Sequence, residues 1–211
     1  MRNLKRALSL ALAAVMVLGL MIVGAGAADV YEDFTDKDEI QNSEAVATMV
    51  SLGVIAGKED GSYFDPAGTV TRGEMAKIVA VSLNGGKEPV LGNSTNLPKF
   101  SDVPTTHWAY NYIAYCVQQG IIAGKGDGTF GPDEPVTGSA AAKMFLCALG
   151  YRADLEGLTG VEWELNTNIL ANQDAGLYEG LSGINASEGL SRDNTAQMAY
   201  NAVQAQEDTY N

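Results

Sequence analysis

The chain has few of the residue types on which most enzyme and metal sites depend. Its 211 residues include one histidine, two cysteines and six prolines. His107 alone cannot form a histidine-based metal site, and the sequence contains no Cys/His cluster. Neither a metal nor a cofactor is predicted.

The two cysteines are too few for a disulfide framework. Cys116 and Cys147 both lie among apolar residues of helix-like stretches in the middle of the chain. Buried, unreactive thiols are the first interpretation. A disulfide that joins the two stretches is the alternative.

Recognisable catalytic patterns are also missing. The sequence has no Gly-x-Ser-x-Gly or His-Glu-x-x-His motif, and one histidine supports no Ser/His/Asp arrangement. The chain is therefore predicted not to be an enzyme. A glycosidase that uses paired carboxylates is left open by the sequence.

Positive charge is scarce, with 13 Lys and Arg against 26 Asp and Glu and a formal charge of −13. The first 27 residues hold three of the basic residues and no acidic one, so the remainder has 10 against 26 and a charge of −16. Such a surface excludes nucleic acid and anionic lipid as general partners. An anionic ligand would need locally placed Arg or Lys.

The first residues are typical of a secretory signal peptide. A basic start, residues 2–6, precedes an apolar run over residues 7–23, and residues 25–27 (Ala-Gly-Ala) have the small-x-small pattern of a cleavage site. Residues 1–27 are predicted to be removed on export, which leaves a secreted protein without a membrane span. The alternative is an uncleaved membrane anchor, because the apolar run approaches spanning length.

What the chain does have is a pattern that occurs three times. A Gly-x-x-x-Gly segment precedes a second segment that opens with Thr or Ser. The paired segments are Gly53–Gly57 with Thr71–Glu74, Gly120–Gly124 with Thr137–Ala140, and Gly176–Gly180 with Ser191–Asn194. Self-similarity at this period indicates a module that packs against its own copies.

The repeats set the predicted boundaries of the chain after the signal peptide. These are residues 28–83 (repeat 1), 84–99 (linker), 100–151 (repeat 2), 152–160 (connection), 161–204 (repeat 3, degenerate) and 205–211 (tail). The linker is rich in Gly, Pro, Asn and Ser. Units this small bury too little apolar surface to be stable alone, so the three repeats are expected to share one core.

Each repeat has the pattern of a helix, a turn and a second helix. Ala45, Val46 and Met49 are spaced as on one helix face, and Gly53 stands where a helix often ends. Asp-Gly turns and Phe-x-Pro elements follow in repeats 1 and 2 and predict short extended loop segments. The predicted fold is mainly α, with three helix-turn-helix repeats.

The second segment of each repeat is predicted to start a helix with a hydroxyl cap. In repeat 1 the pattern Thr-x-x-Glu is a capping box. A structural role is assigned to the capping residues Thr71, Glu74, Thr137 and Ser191 and to the glycines Gly57, Gly124 and Gly180.

In two of the three repeats an arginine directly follows the cap: Arg72 after Thr71 and Arg192 after Ser191. Capping does not explain it, because a cation in the first turn opposes the helix dipole. Free N–H groups at a helix start attract anions, and a guanidinium there would add a bidentate contact. The alternative is a salt bridge to a neighbouring acid, Glu74 or Asp193.

The order of these motifs resembles the S-layer homology family over nearly the whole mature chain. Repeat 2 matches best, through Phe100-Ser101-Asp102-Val103, His107-Trp108-Ala109, the Gly120–Gly124 turn and Phe130-Gly131-Pro132. Repeat 1 has Phe34-Thr35-Asp36, Phe64-Asp65-Pro66 and the full Thr71-Arg72-Gly73-Glu74 signature. Repeat 3 keeps Trp163 and Ser191-Arg192-Asp193-Asn194.

The resemblance implies a pseudo-threefold, mostly helical spindle at the surface of a Gram-positive cell. It would bind an anionic secondary cell-wall polymer, often a pyruvylated aminosugar polysaccharide, in grooves between repeats. The resemblance assigns polymer contact or groove positions to Arg72, Arg192, Asp36, Asp102, Trp108 and Trp163. Burial in the core is the alternative for the two tryptophans.

Departures from the family pattern make the repeats unequal. Repeat 2 has Gly138 where the signature arginine would stand, and repeat 3 lacks the Phe-x-Pro element. One or two competent grooves are therefore expected. The repeats fill almost all of the mature chain, which fits either a stand-alone wall-binding protein or the anchor of a longer product. A self-assembling S-layer or structural protein is the alternative function.

Overall fold

The computed structural model describes residues 31–91 and 99–205. The predicted signal peptide, the middle of the linker and the tail beyond its first residue lie outside this part of the chain. Within it the fold is mainly helical, as predicted, with isolated β-bridges and no sheet. The helices are α1 (Ser43–Ser51), α2 (Arg72–Leu83), α3 (Tyr110–Gln118), α4 (Gly138–Ala148), α5 (Trp163–Gln173) and α6 (Arg192–Gln204). None of them is long and apolar enough to cross a membrane.

Each repeat contributes two helices, and the first helix ends at the predicted glycine. Ala45, Val46 and Met49 of α1 are buried. Gly53 adopts a φ of 71°, and Val54 N beyond it donates to Met49 O across 2.9 Å. A side chain would strain this left-handed backbone, so the glycine is required for the helix to end here.

The helices pair between repeats rather than within them. α1 packs on α6, α3 on α2 and α5 on α4. The first helix of each repeat therefore lies on the second helix of the preceding repeat, with repeat 1 following repeat 3. The second helices α2, α4 and α6 contact one another in the centre. A repeat of the sequence is thus not a unit of the fold, and the ring closes where α1 meets α6.

Three short extended segments hold the centre of the ring together. Val70 N donates to Leu190 O (3.0 Å), Leu190 N to Val136 O (2.9 Å) and Val136 N to Val70 O (2.9 Å). The three side chains are buried and belong to one continuous apolar core. This closed triangle pairs backbone groups that no water reaches. The prediction of one shared core in a pseudo-threefold bundle is confirmed.

The turns after the first helices leave no room for side chains. A Cβ at Gly57 would lie 2.5 Å from Gly61 O, and a Cβ at Gly124 would lie 2.4 Å from Phe100 Cε1. Gly180 instead has a φ of 73°. All three glycines are structural, for two different reasons: close approach at the first two and backbone conformation at the third.

Both cysteines are free thiols. Cys116 lies on α3 and Cys147 on α4, and these helices belong to different packed pairs. The alternative of a disulfide within repeat 2 is therefore wrong. Burial raises the pKa of Cys116 to about 12 and the pKa of Cys147 to about 11.

We expect both thiols to be inert towards Ellman's reagent at about pH 8 until urea unfolds the chain, because the thiolate is the reactive form. Since an ordinary thiol has a pKa of 9.0, the folded chain keeps these protons where the unfolded chain loses them. The contribution of the two protonated thiols to the free energy of unfolding is complete below about pH 9 and is lost as the pH rises towards about 12. As the pH rises, the urea midpoint of Cys116→Ala should fall less steeply than the urea midpoint of the wild type. Rapid labelling of the native chain would contradict the prediction.

Candidate functional site

The second helices begin at hydroxyl caps, as predicted. Thr71 Oγ1 accepts from Glu74 N (3.2 Å), and Glu74 Oε2 accepts from Thr71 N (2.8 Å), which completes the capping box. Thr137 and Ser191 cap α4 and α6 at the same 3.2 Å. Capping accounts fully for these four residues.

The next N–H groups of each second helix are occupied by the following repeat. In α2, Arg72 N donates to Glu134 O (2.9 Å) and Gly73 N donates to Pro132 O (2.8 Å). The helices α4 and α6 make the equivalent pairs of bonds. The expectation of free N–H groups at these helix starts is therefore wrong. An anion at this place would have to be bound by side chains.

The Arg72 side chain lies across the junction between repeats 1 and 2. Its Nε donates to Phe130 O (2.9 Å), and its guanidinium carbon lies 4.6 Å from the centroid of the Phe130 ring. Partial burial lowers the pKa of Arg72, while the nearby charges of Glu134 and Asp102 act in the opposite direction. No residue of the described chain forms a hydrogen bond with its two terminal nitrogens.

Arg192 repeats this arrangement between repeats 3 and 1, but more deeply. Its Nε donates to Phe64 O and its Nη2 to Ala56 O, both at 2.7 Å, and the guanidinium carbon lies 4.9 Å from the Phe64 ring centroid. The residue is only 7% exposed. Burial lowers the pKa of Arg192, and the surrounding acids oppose that shift. Arg192 thus joins the two ends of the ring.

The proposed salt bridges to neighbouring acids are not formed. Glu74 is held by its own cap. Asp193 is buried and accepts from Gln41 N (3.1 Å), Asn42 N (3.1 Å) and Asn42 Nδ2 (2.6 Å). Neither arginine appears in an ion pair of the described chain. The alternative explanation for the arginines is wrong, and the guanidiniums contact carbonyls and rings instead.

Asp36 and Asp102 each hold the turn that presents one of these phenylalanines. Asp36 accepts from Phe64 N (2.9 Å), and Asp102 accepts from Phe130 N (2.9 Å) and Gly131 N (2.7 Å). Burial alone would raise the pKa of Asp102, but the N–H groups together hold it below its ordinary value. Both carboxylates therefore position the ring on which an arginine rests.

Trp108 is exposed rather than buried in the core. The indole is 52% exposed and packs near Gly73, the residue next to Arg72. Tyr112 lies beside it, with 6.4 Å between ring centroids, and Lys77 Nζ lies 5.6 Å from the Tyr112 centroid. Sequence reasoning did not select Lys77 or Tyr112. The available signal was two aromatic residues four apart, with Trp108 just before α3 and Tyr112 in its first turn.

Trp163 is half-buried at the start of α5 and belongs to a different junction. The Lys143 ammonium lies 5.2 Å from the Trp163 ring centroid, between repeats 2 and 3. The six predicted residues thus divide among three junctions. Arg72, Asp102 and Trp108 meet between repeats 1 and 2, Arg192 and Asp36 between repeats 3 and 1, and Trp163 between repeats 2 and 3.

The missing arginine of repeat 2 and the missing Phe-x-Pro of repeat 3 belong to one junction. An arginine at position 138 would reach into repeat 3, where no phenylalanine is available as its partner. The loop of repeat 3 fills that place, because a Cβ at Gly138 would lie 3.1 Å from Ala186 Cα and 3.2 Å from Ile184 Cδ1. The two departures from the sequence pattern are therefore one structural change.

A polar cleft of about 330 Å³ lies between repeats 3 and 1. Its walls carry the carboxylates of Glu39, Glu188 and Asp193 and no Lys or Arg. Across the described residues, no three His, Cys, Asp or Glu side chains are grouped to hold a metal ion. An anionic ligand is disfavoured in this cleft by its charge.

Comparison with known proteins identifies the repeats. The family model of the S-layer homology domain matches residues 33–76 and 99–142. The chain is 39% identical over 88 residues to the S-layer protein EA1 of Bacillus anthracis, which covers 42% of this chain and 9% of that protein. It is 33% identical over 105 residues to a cellulosome-anchoring protein of Acetivibrio thermocellus, covering 50% of this chain and 23% of that protein.

A third relative carries an enzyme name. The chain is 29% identical over 147 residues to an uncharacterised cell wall amidase of Bacillus anthracis, which covers 68% of this chain and 25% of that protein. The chain therefore spans between 9% and 25% of the length of these three relatives. Repeat 3 lies beyond the two matched segments, yet its helices α5 and α6 and its Ser191 cap reproduce the arrangement of the other repeats. The two matched segments show that the chain contains S-layer homology domains, and repeat 3 has the same helical build.

Proposed function

We propose that this chain attaches to the cell surface by binding an anionic secondary cell-wall polysaccharide non-covalently. The binding site is the junction between repeats 1 and 2. The chain is a cell-surface protein, related to S-layer and cellulosome-anchoring proteins. The observation that carries the proposal is that Arg72 and Trp108 lie at the same junction. The terminal guanidinium nitrogens of Arg72 have no partner in the described chain, and the half-exposed indole of Trp108 packs near Gly73, the residue that follows Arg72.

The chemistry of this pair suits an acidic sugar. A guanidinium can bind a carboxylate through two parallel hydrogen bonds, and an indole face can lie against the apolar side of a sugar ring. Nε of Arg72 and its contact with the Phe130 ring fix the direction of the side chain, so little conformational freedom is lost on binding. Lys77 supplies a second cation on the same helix.

The other predicted residues support this junction less directly. Arg192 has two of its three nitrogens on carbonyls and is buried, so we assign it a structural role. Asp36 and Asp102 have their oxygens on backbone N–H groups, and we assign them the shaping of the junctions. Trp163 lies against Lys143, and we propose for it a secondary groove at most.

We propose binding rather than catalysis at this place. A general acid must hold a proton near neutral pH, and the N–H groups around Asp102 hold its pKa below the ordinary value. The relative named as a cell wall amidase matches over 25% of its own length. We therefore propose that the repeats supply attachment to a cell envelope and no hydrolytic step.

We expect Arg72→Gln to reduce co-sedimentation of the chain with Gram-positive wall sacculi by at least about tenfold, because a charge-assisted bidentate contact is lost. Lys87→Gln is the matched control, since Lys87 is exposed, carries the same charge and lies outside the junction. Equal binding by the two variants would contradict the proposed role of Arg72.

Extraction of the wall polymer tests whether that polymer is the ligand. Sacculi from which the secondary polymer has been removed should no longer retain the wild-type chain, and rising salt should weaken retention by intact sacculi. Trp108→Ala should also weaken it, since the stacking surface is lost. Undiminished binding to extracted sacculi would overturn the proposed ligand class.

A further inference from the structure

Large aliphatic side chains of helix α5 and of the segment before it are exposed to water. Val161, Leu165 and Ile169 are 101%, 59% and 42% exposed. Leu165 and Ile169 are four residues apart on one side of the helix, and Val161 lies in the turn just before its first residue; together they form the apolar stripe. Leu155, in the loop before α5, is 56% exposed as well. Large apolar side chains that face water in a row indicate a contact surface.

The inward side of the same helix mixes apolar and polar residues, with Ala171 fully buried and Leu170 packed against the core. Thr167 is fully buried and donates to Trp163 O (2.7 Å). Asn168 Oδ1 accepts from Tyr178 (2.6 Å), and Asn166 Nδ2 donates to Gly157 O (3.0 Å). The core thus takes only Ala171 and part of Leu170 from the aliphatic residues of α5, and Leu165 and Ile169 are left for the outside. An amphipathic helix in a globular domain usually turns its large aliphatic side chains inward.

The equivalent helices of the other repeats do not share this feature. Neither Ser43–Ser51 (α1) nor Tyr110–Gln118 (α3) exposes a large aliphatic side chain. Their outward positions are polar, for example Glu44 and Asn111. The stripe therefore does not follow from the shared architecture of the repeats. It is a property of α5, the first helix of the repeat that departs most from the family pattern.

The charges around the stripe restrict what can cover it. Residues 153–174 contain five acids and no Lys or Arg; Asp154 is paired with the preceding Arg152, and Glu162 and Asp174 at the two ends of α5 are exposed. A second copy would bring the same acids against one another on a chain of net charge −13. Anionic lipid would be repelled in the same way. A complementary surface has apolar side chains bordered by Lys or Arg.

We propose that the outer face of α5 docks a segment of another protein that presents aliphatic side chains flanked by basic residues. The stripe gives the contact its apolar centre, and the acidic border selects the partner's charge. Such a contact is small and belongs to the weak, reversible class of interfaces. It lies on repeat 3, apart from Arg72 and Trp108, and does not depend on the proposed polysaccharide binding.

The test uses a fluorescent amphipathic peptide of leucine and lysine, with a leucine and glutamate peptide of the same pattern as its counterpart. Anisotropy titration of the secreted chain should show saturable binding of the lysine peptide and at least about tenfold weaker binding of the glutamate peptide. Leu165→Glu should weaken binding of the lysine peptide at least about tenfold. If binding came only from attraction between opposite charges, Leu165→Glu would strengthen binding of the lysine peptide, because this substitution adds an acid.

Asn111→Glu is the matched control, since it adds the same charge to the exposed face of α3. It should leave peptide binding unchanged, both variants should keep the circular dichroism of the wild type, and Leu165→Glu should keep its wall retention. Lysine-peptide binding that Leu165→Glu leaves equal or strengthens would overturn the proposal. So would sedimentation velocity showing a dimer that Leu165→Glu dissociates, which would assign the face to a second copy. Arg72→Gln should keep peptide binding, so the two proposals fail separately.

Discussion

Replacement of Arg192 by methionine is expected to lower the free energy of unfolding by about 2–4 kcal/mol, because two carbonyls lose their donor in a buried place. Phe64 O and Ala56 O both accept from this guanidinium at 2.7 Å. Methionine fills a similar volume but offers no donor. The contact between the guanidinium and the Phe64 ring is lost as well.

Arg192→Lys separates charge from geometry. It keeps the positive charge, but a single ammonium cannot reproduce the two donors of a planar fork. We expect it to recover less than half of the loss in urea unfolding. Lys87→Met, at an exposed position, is the control and should change the unfolding midpoint little. Equal stability of Arg192→Met and the wild type would show that repeats 3 and 1 are held together without this residue.

The same arginine type has different consequences at its two positions. Arg72 makes one hydrogen bond to a carbonyl and is partly exposed, so its loss should cost about 1 kcal/mol in stability while wall binding falls. Arg192 should show the converse, with a large loss of stability. Measurement of both properties on both variants would separate the binding role from the structural one.

An isolated repeat is expected not to fold at all. In a peptide of residues 100–151, α3 lacks α2 and α4 lacks α5, so both helices lose the partners on which they pack. Helices of 9 and 11 residues are too short to be stable alone in water. Far-ultraviolet circular dichroism should therefore show a largely unfolded chain at room temperature.

The control is a chain that contains all three repeats, residues 28–211, which should unfold in one cooperative transition. A peptide that joins α2 to α3, residues 70–120, tests the packed pair against the sequence repeat. It should be more helical than residues 100–151, although it also lacks the central contacts of α4 and α6. Cooperative unfolding of residues 100–151 alone would contradict the pairing between repeats.

Much of the local structure follows from the sequence because its causes are local. A hydroxyl followed by Glu three residues later can satisfy the first N–H groups of a helix wherever the helix packs, and Thr71 and Glu74 do so. Gly53 ends α1 because only glycine adopts that backbone conformation without strain. Periodic apolar residues such as Val46 and Met49 indicate a buried face whatever covers it.

The roles of the arginines could not be obtained in this way, because their partners lie far away in the chain. Arg192 binds carbonyls of residues 64 and 56, in the first repeat. The N–H groups beside Arg72 appear free in the sequence, yet repeat 2 supplies Glu134 O and Pro132 O to them. Only the packing of one repeat on the next determines these contacts.

The triple pattern by itself determined that the chain has three helical repeats with capped second helices and one shared core. The tertiary structure decided which helices pair and therefore which residues meet at each junction between repeats. A motif within one repeat fixes a helix end through contacts a few residues long. A junction depends on two repeats at once, so Arg72 is only partly buried near Trp108 while Arg192 is buried against Phe64.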